Sequence, residues 1–331
     1  MRRRVAAALV APGFALGGYV AAKSTSAWPE MGHAQPGHAL LNYQEPHVEL
    51  VKSRRDQGGS DDALDGAAWD RRQVIMRDGR KEQLTLDDNG FQLLDAKKNP
   101  DDDYYDEQTV IGPYYRECEE LLKQVTGASF VKAFDHNVRC TSGNAAGRKL
   151  KGGNLVQAPA GIVHGDYTID SAPRRFKLLG EPPKLNDPLR PVLGETPLIE
   201  QTIVDDALSG RRRYAFVNVW RPISKIEQKP LACADAASVK EEDLIVFQIV
   251  YKDRIGENYF AKWRAEHKWC YFPSMTPDEA LLIKQWDSHG TLAPAKGGKS
   301  TFALHTAFLD PASPEDAADR ESIEVRLVLV W

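Results

Sequence analysis

The second half of the chain is dominated by short β-segments that proline and glycine interrupt. No regular alternation of strands and helices runs through this half, which favours an antiparallel sandwich or barrel over a doubly wound parallel sheet. We therefore expect a mainly β fold with flanking helices. The segments that predict strands are residues 161–166, 214–220, 243–252, 268–272, 301–308 and 321–331.

Three segments predict helices. Apolar residues recur at helical spacing over residues 107–126, and Gly127 follows as a suitable C-cap. A shorter helix is expected around residues 197–208. Residues 277–286 are expected to form the third, because Thr276 and the residues after it resemble a capped helix start.

The region upstream of the long helix predicts a small β-sheet. Residues 74–76 and 83–86 are expected to form a hairpin with its turn at Asp78-Gly79, and residues 90–94 to continue the same sheet. After the helix, residues 129–138 are expected to form the first core strand.

Length, charge and cysteine content limit the class of protein. The chain has 331 residues, 42% of them hydrophobic, a formal net charge of −4 and a pI near 6.1. These values fit a folded globular protein and give no overall electrostatic reason to bind nucleic acid or an anionic membrane, so we expect a small-molecule partner. The four cysteines form no CxxC pair, which favours reduced thiols over a zinc knuckle or a disulfide scaffold.

The first 37 residues differ in character from the rest. Three arginines precede an apolar, alanine-rich stretch and a run of small residues, which is the order found in a secretory signal or anchor. Pro12 and several glycines weaken a helical interpretation, and an organelle transit peptide or a plain extension fits equally. We expect an extension over residues 1–37 and one domain over residues 38–331. The location would be cytoplasmic if the extension is not a targeting segment, and organellar or secretory otherwise.

The main candidate for chemistry is the triplet His164-Gly165-Asp166. On a strand, side chains two residues apart project to the same face, so His164 and Asp166 can reach one metal ion while Gly165 points away. The candidate for a third ligand is His305, which lies in a late apolar segment where an imidazole without a partner would be costly.

Two histidines and one carboxylate on one face of an octahedron leave coordination positions open, which suits a non-haem Fe(II) oxygenase. Zinc more often takes a closed or hydrolytic arrangement. An HxD triplet alone also arises by chance, so the interpretation depends on combining it with His305.

The last predicted strand carries candidate cosubstrate ligands. Arg320, Ser322 and Arg326 share one face because side chains alternate along a strand. A guanidinium binds a carboxylate through two parallel hydrogen bonds, so Arg320 with Ser322, or else Arg326, could hold the distal carboxylate of 2-oxoglutarate. The alternative is an ordinary amphipathic edge strand in which one of the arginines pairs with Glu324.

Nine sequence strings together resemble the AsaB-type hydroxylase/desaturase family. The resemblance runs from about Leu41 to the C-terminus, and the strings occur in the family's order. They are 134–139 (FDHNVR), 164–168 (HGDYT), 218–223 (NVWRPI), 230–235 (PLACAD), 267–273 (HKWCYFP), 278–284 (DEALLIK), 287–288 (DS), 305–308 (HTAF) and 320–326 (RESIEVR).

The resemblance implies a double-stranded β-helix (jelly-roll, cupin-like) core and an Fe(II)- and 2-oxoglutarate-dependent oxidoreductase that uses O₂ to hydroxylate or desaturate a small molecule of secondary metabolism. His164, Asp166 and His305 match the family's metal-binding pattern. One departure is Gly165, which stands where a larger apolar residue is common. The rival classes are a cupin-type oxygenase, hydrolase or isomerase on the same barrel, and a non-catalytic accessory protein.

For the other residues of these strings, a structural role is an alternative to a functional one. Trp220 and Trp269 are expected to be core aromatics, and His136 and His267 structural histidines. Asn218 and Arg221 could contact the substrate or the cosubstrate, although Arg221 could equally pair with an acid such as Asp235. Residues 169–208 and 287–299 are expected to form the loops that set substrate choice.

Overall fold

The structure is a computed structural model that describes residues 25–26, 28–57, 64–142, 150–151, 156–185, 187–252 and 254–331. The predicted targeting segment falls almost entirely on residues 1–24, outside the described residues. The described strands are β1 (Thr25–Ser26), β2 (His38–Gln44), β3 (Leu50–Arg54), β4 (Leu64–Asp65), β5 (Trp69–Asp78), β6 (Phe91–Asp95), β7 (Phe130–Cys140), β8 (His164–Gly165), β9 (Tyr214–Pro222), β10 (Leu231–Ala234), β11 (Leu244–Val250), β12 (Ile255–Ala261), β13 (Trp269–Tyr271), β14 (Glu279–Asp287), β15 (His305–Ala307) and β16 (Glu321–Val330). The described helices are α1 (Glu107–Thr109), α2 (Tyr115–Thr126), α3 (Ser171–Leu179), α4 (Arg190–Leu193) and α5 (Gln201–Leu208).

The strands form two sheets. The larger sheet has the order β1-β4-β3-β11-β12-β8-β15-β10-β13-β5-β2, and the smaller has the order β6-β14-β9-β16-β7. Neighbouring strands are antiparallel except for β3 with β11 and β5 with β13. This antiparallel, two-sheet arrangement agrees with the mainly β fold that the sequence predicts.

The smaller sheet is the most deeply buried part of the molecule. Its strand β16 lies between β9 and β7, and residues 322–325 and 327–330 of it are buried. Helix α2 packs against β7 and β16 and contributes Cys118 and Leu122 to the apolar core. The sheet is therefore a rigid platform for the polar side chains that it carries.

The long helix predicted over residues 107–126 is confirmed, with one local deviation. A π-helical turn over Val110–Tyr114 joins α1 to α2, and it contains Pro113. Proline lacks the N–H that a regular helix needs at this place, which accounts for the wider turn. Gly127 ends the helix in the left-handed conformation, with φ at 67°, as the C-cap prediction required.

The helix predicted over residues 277–286 is wrong. The segment forms β14, which lies between β6 and β9 in the smaller sheet. Every residue of β14 is buried, so the polar–apolar alternation that marks a half-exposed strand is absent from its sequence. Thr276 caps no helix, and its backbone N–H instead donates to the Glu279 carboxylate.

The hairpin predicted at Asp78-Gly79 is also wrong. Strand β5 ends at Asp78, whose side chain caps a 3-10 turn over Gly79–Lys81, and no strand follows over residues 83–86. Strand β5 pairs with β2 and β13 in the larger sheet, whereas β6 pairs with β14 in the smaller one. Of the three segments that the sequence predicts as one sheet, residues 74–76 therefore belong to the larger sheet, residues 90–94 largely to the smaller one, and residues 83–86 to neither.

Part of the segment expected to form substrate-selecting loops is helical. Helices α3 and α4 lie within residues 169–208, and the helix predicted at 197–208 is confirmed in the shorter form of α5. Helix α3 packs on α5 and on strand β12. No helix in the described part of the chain is both long enough and apolar enough to cross a membrane.

Candidate metal centre

Two histidines face each other where β8 and β15 pair. His164 and His305 are direct partners in the antiparallel register, and their ring centroids lie 4.3 Å apart. His164 Nδ1 lies 2.7 Å from the Ile162 carbonyl oxygen, and His305 Nδ1 lies 3.2 Å from the Ala303 carbonyl oxygen. A carbonyl can only accept, so each ring carries its proton on Nδ1 and leaves Nε2 with a free lone pair.

Asp166 brings its carboxylate to the same point. It follows β8 directly, and its Oδ1 atom lies 3.9 Å from Nε2 of both His164 and His305. One ligand atom from each of the three residues lies within 4.8 Å of the others, a spacing at which all three can bind one ion. The structure thus brings together the three residues that the sequence predicts as ligands.

The protonation states of this cluster suit a cation. Burial and the neighbouring His305 lower the pKa of His164 to about 4, and burial also lowers the pKa of His305. Burial alone would raise the pKa of Asp166, but the Arg326 guanidinium and the two imidazoles hold it well below its usual range. At neutral pH the cluster therefore offers two neutral imidazoles and one carboxylate, the forms that bind metal ions.

Side chains from the smaller sheet orient Asp166. Asn218 on β9 donates to Asp166 Oδ2 at 3.0 Å, and Nε of Arg326 on β16 lies 3.7 Å from the same oxygen. The backbone N–H of Asp166 donates to Gln285 on β14 at 3.3 Å. The sequence suggests Asn218 only as a contact of the substrate or cosubstrate and gives no sign of Gln285. Both residues lie near Asp166 because the two sheets pack together, and this packing cannot be read from the sequence around either residue.

Arg326 is already surrounded by carboxylates. It donates to Asp135 at 2.8 Å and lies 3.5 Å from Glu324, in addition to its contact with Asp166. These negative charges raise the pKa of Arg326 even though burial opposes this. The positive charge of Arg326 is therefore neutralised within the protein, so this guanidinium would attract a further anion only weakly.

Arg320 is in the opposite situation. It is 1% exposed, donates to the Lys229 carbonyl oxygen at 2.6 Å and lies 3.4 Å from the Ser322 hydroxyl, and its Nε has no partner. Burial, together with the like charge of Arg139, lowers its pKa to about 9. A buried guanidinium without a carboxylate is costly, so this position is suited to an anion that comes from outside the chain.

Arg139 adds a second positive charge beside Arg320, and sequence reasoning assigned it no role. It lies on β7 directly opposite Ser322 of β16 and donates to the Ala158 carbonyl oxygen at 2.8 Å. Burial lowers the pKa of Arg139 as it does that of Arg320. No signal within its own string marks Arg139, because its relevance comes from the pairing of β7 with β16.

The two tryptophans and the two other histidines of the family strings make structural contacts. Trp220 and Trp269 are buried in the core, as expected. His136 Nδ1 lies 2.8 Å from the Tyr115 hydroxyl, and His267 Nε2 lies 3.1 Å from the Asp243 carboxylate. Neither histidine belongs to the candidate metal cluster among the described residues.

The suggested pairing of Arg221 with Asp235 is not found. Arg221 donates to Glu117 at 2.7 Å, to the carbonyl oxygens of Ala96 and Pro277, and to the Tyr114 hydroxyl. It therefore fastens α2 and the start of β14 together and does not face the metal centre.

A large cavity of about 1370 Å³ opens onto the cluster. Asp166 and Arg326 lie in its wall, together with Phe134 and Tyr167. Much of the remaining wall comes from helix α3 and the segment up to Leu198, in agreement with the predicted role of residues 169–208. The other segment expected to select substrates, residues 287–299, contributes none of the described wall residues.

Known proteins place the chain in a family. The family model described as an oxidoreductase/YMDC permease-like domain matches residues 41–190 and 196–330. The hydroxylase/desaturase efuI of Hormonema carpetanum is 30% identical over 277 residues, which cover 78% of this chain and 83% of the relative. The chain belongs to this hydroxylase/desaturase family. The alpha-ketoglutarate-dependent dioxygenase tstK of Talaromyces stipitatus is 30% identical over 268 residues, which cover 78% of this chain and 84% of the relative.

A solved structure supports the fold. The iron and alpha-ketoglutarate-dependent endoperoxidase NvfI superposes with a TM-score of 0.65 at 22% identity, covering 88% of this chain and 97% of that one. The expected fold class and the resemblance to the hydroxylase/desaturase family are confirmed. Dependence on iron and 2-oxoglutarate, and the class of oxidoreductase, are confirmed at the level of the family.

Proposed function

We propose that this member of the hydroxylase/desaturase family holds Fe(II) with His164, Asp166 and His305 and uses 2-oxoglutarate and O₂ to hydroxylate or desaturate a small molecule. The observation that carries the proposal is the approach of two Nε2 atoms and one carboxylate oxygen to within 4.8 Å of each other, beside a cavity whose wall includes Asp166. Residues 38–331 would act as one catalytic domain, without a nucleic-acid or membrane partner.

The donor set fits a ferrous ion. Two imidazole nitrogens and one carboxylate oxygen match the facial arrangement that leaves positions free on an octahedral metal, whereas a closed zinc site would need a fourth protein ligand. The described chain offers no fourth histidine, cysteine or carboxylate in this cluster. The fixed Nδ1 protons and the contacts to Asp166 supply the outer support that metal ligands usually have.

Arg320 is the proposed partner of the distal carboxylate of 2-oxoglutarate. Its guanidinium is buried and forms no ion pair with a carboxylate of the described residues, although Glu324 is near enough to act on its charge, and Ser322 lies beside it to add a hydroxyl donor. Arg139 adds positive charge from the neighbouring strand. Arg326 is not chosen because Asp135, Glu324 and Asp166 already neutralise it; its proposed role is to hold the Asp166 carboxylate in place.

When bound, the ferrous ion would activate O₂, which is the oxidant, and 2-oxoglutarate would supply two electrons as it is converted to succinate and CO₂. The chain itself does three things. The histidines and Asp166 fix the metal, Arg320 orients the cosubstrate, and the apolar packing around β8 and β15 keeps bulk water from the reacting positions. A Cβ at Gly165 would meet Leu304 and Phe302 at ordinary contact distances of 3.5 and 3.6 Å, so this position has room for a Cβ that glycine does not fill.

The test is an anaerobic titration of the Fe(II)-loaded protein with 2-oxoglutarate, followed by the visible charge-transfer band of the chelate. We expect the band in the wild-type protein and in His289→Ala, a matched control that removes an exposed histidine. We expect no band in His305→Ala. A band of full intensity in His305→Ala would contradict the proposed ligand set.

A second measurement separates the rival classes. Succinate should accumulate with O₂ uptake in the wild-type protein and in His289→Ala. If the band forms but no succinate appears with any candidate substrate or without one, the iron site stands and the 2-oxoglutarate chemistry fails. Activity without 2-oxoglutarate would favour a cupin-type oxygenase, a hydrolase or an isomerase.

A further inference from the structure

We propose that Arg175 selects the substrate by binding a carboxylate on it, so that the enzyme acts on apolar small molecules that carry an acid group. The inference rests on the proposed function, since it names the substrate class of the same site. Arg175 lies on α3 and lines the cavity that Asp166 also lines. It is therefore placed to hold one end of a molecule whose other end reaches the metal.

Arg175 has an uncommitted charge. Its guanidinium carbon lies 4.9 Å from the centre of the Phe134 ring, and the side chain is half-buried. Within the described residues it makes no ion pair and no hydrogen bond. Stacking on an aromatic ring holds the guanidinium plane while leaving its edge N–H groups free, which is the geometry that binds a carboxylate through two hydrogen bonds.

The other described arginines of the cavity wall are already engaged. Arg174 pairs with Glu257, and Arg190 pairs with Glu195 at 2.5 Å. Arg326 is held by Asp135 and Glu324 as described above. Arg254 stacks on Tyr251 and has a further partner. Among the arginines of the wall in the described ranges, Arg175 alone lacks both an ion pair and a hydrogen bond.

The surroundings of Arg175 favour a carboxylate on an apolar body. Phe134, Tyr167 and Leu178 lie in the same wall, and the Tyr167 ring is stacked at 4.7 Å on Phe216, which fixes it. These surfaces would cover a hydrocarbon or aromatic body. A single free guanidinium matches one negative charge, whereas a phosphate with nearly two charges would need a second free cation. Lys184 is the other candidate cation, and it is exposed to solvent.

The test compares acids with their isosteric amides. The probes are a series of ω-phenylalkanoates of two to ten chain carbons, the corresponding primary amides and the corresponding amines. Binding to the anaerobic protein saturated with Fe(II) and 2-oxoglutarate is measured by calorimetry, so that Arg320 is already occupied. We expect the best acid to bind about tenfold or more tightly than its amide, because a charged, two-point hydrogen bond is lost in the amide.

Variants assign the effect to one residue. In Arg175→Gln the preference for acid over amide should disappear while the affinity for the amide stays the same, and Arg175→Lys should recover part of it. Lys184→Gln, the matched control, should keep the full preference. Equal binding of acid and amide by the wild-type protein, preference for the amine, or no measurable binding of any acid would overturn the proposal, as would an unchanged preference in Arg175→Gln.

Failure of this inference is distinguishable from failure of the proposed function. The charge-transfer band with 2-oxoglutarate should form equally well in the wild-type protein and in Arg175→Gln, since Arg175 is not among the proposed metal or cosubstrate ligands. If the band is present and the acid preference is absent, the iron and 2-oxoglutarate site stands and the substrate assignment fails. If the band is absent from both proteins, the proposed function fails.

Discussion

At the scale of single residues, the feature that distinguishes the centre is that each candidate ligand depends on a second group. Each imidazole is oriented by a backbone carbonyl oxygen two residues before it in the chain. The ring orientation therefore depends on the local backbone and not on a particular neighbouring side chain. Asp166 depends on side chains from the other sheet, Asn218 and Arg326. Of the three ligands, the Asp166 carboxylate is therefore the one whose position depends most on side chains far away in the sequence.

Replacing Asn218 tests this dependence. In Asn218→Ala the Asp166 Oδ2 atom loses its amide donor, and we expect the affinity for Fe(II) or Mn(II) to fall by about 10–100-fold. A competitive titration with a chromophoric chelator measures the affinity. Asn99→Ala removes an exposed asparagine and should leave the affinity unchanged. Equal affinities for the two variants would show that Asn218 does not support the ligand.

Arg320, which directly precedes β16, and Arg326, which lies on it, should affect different binding constants when they are replaced. Arg320→Gln should weaken 2-oxoglutarate binding by about 10–100-fold, as expected for a hydrogen-bonded charge worth about 1.5–3 kcal/mol, and leave metal affinity near that of the wild-type protein. Arg326→Gln should do the reverse, because its partners include Asp166. Titrations with metal and with 2-oxoglutarate measure the two dissociation constants for each variant. If Arg326→Gln weakened 2-oxoglutarate binding and Arg320→Gln weakened metal binding, Arg326 would be the cosubstrate ligand.

At the scale of elements, strand β14 shows how a charged side chain is kept inside a sheet. Lys284 is 1% exposed and lies 2.9 Å from the Asp287 carboxylate, which also accepts from Arg213 at 3.0 Å. Asp87, half-exposed at the rim, accepts from both cations. The network fastens the end of β14 to the start of β9 and to the loop before β6.

Removing one member of this network should be costly. In Asp287→Ala, Lys284 and Arg213 keep only one carboxylate partner, Asp87, which already pairs with Lys299, so we expect the free energy of unfolding to fall by about 3–5 kcal/mol. Urea unfolding followed by tryptophan fluorescence measures it. Replacing the pair, Lys284→Met with Asp287→Leu, leaves no unpaired charge on β14 and should recover most of the loss. If the double variant is as unstable as the single one, packing and not charge pairing explains the effect.

The same strand shows why only part of the fold could be predicted. The sequence predicts β7, β9 and β16 from short segments rich in apolar residues, and it predicts the helix before β7 from the helical spacing of its apolar residues. Strand β14 was missed because Ala280, Leu281 and Leu282 favour helices locally, and only burial on both faces makes them a strand. Local preference was overridden by the neighbouring strands, which no short window of sequence contains.

The grouping of His164, Asp166 and His305 was predicted more completely than the fold around it. His164 and Asp166 could be found because they lie two residues apart, and His305 because an imidazole stood in an apolar segment. Arg139 and Gln285 could not, since their relevance comes from strand pairings with Ser322 and from a contact across the two sheets. Spacing within one strand is visible in a sequence, whereas proximity between sheets is not.

At the scale of the whole molecule, the centre joins the two sheets. The histidines belong to strands β8 and β15 of the larger sheet, each only two or three residues long, while the groups that hold Asp166 belong to β9 and β16 of the smaller one. Short strands contribute few hydrogen bonds of their own. A metal ion bound to all three ligands would therefore cross-link β8 and β15, two short neighbouring strands of the larger sheet.

This arrangement predicts that metal binding stabilises the entire domain. At a concentration of Fe(II) or Mn(II) 100-fold above the dissociation constant, the free energy of unfolding should rise by about 2.7 kcal/mol, since only the folded chain assembles the three ligands. Denaturant unfolding with and without metal measures the change. His289→Ala should show the full rise, and His305→Ala should show little of it. A full rise in His305→Ala would mean that the stabilising ion binds at a place other than the proposed centre between β8 and β15.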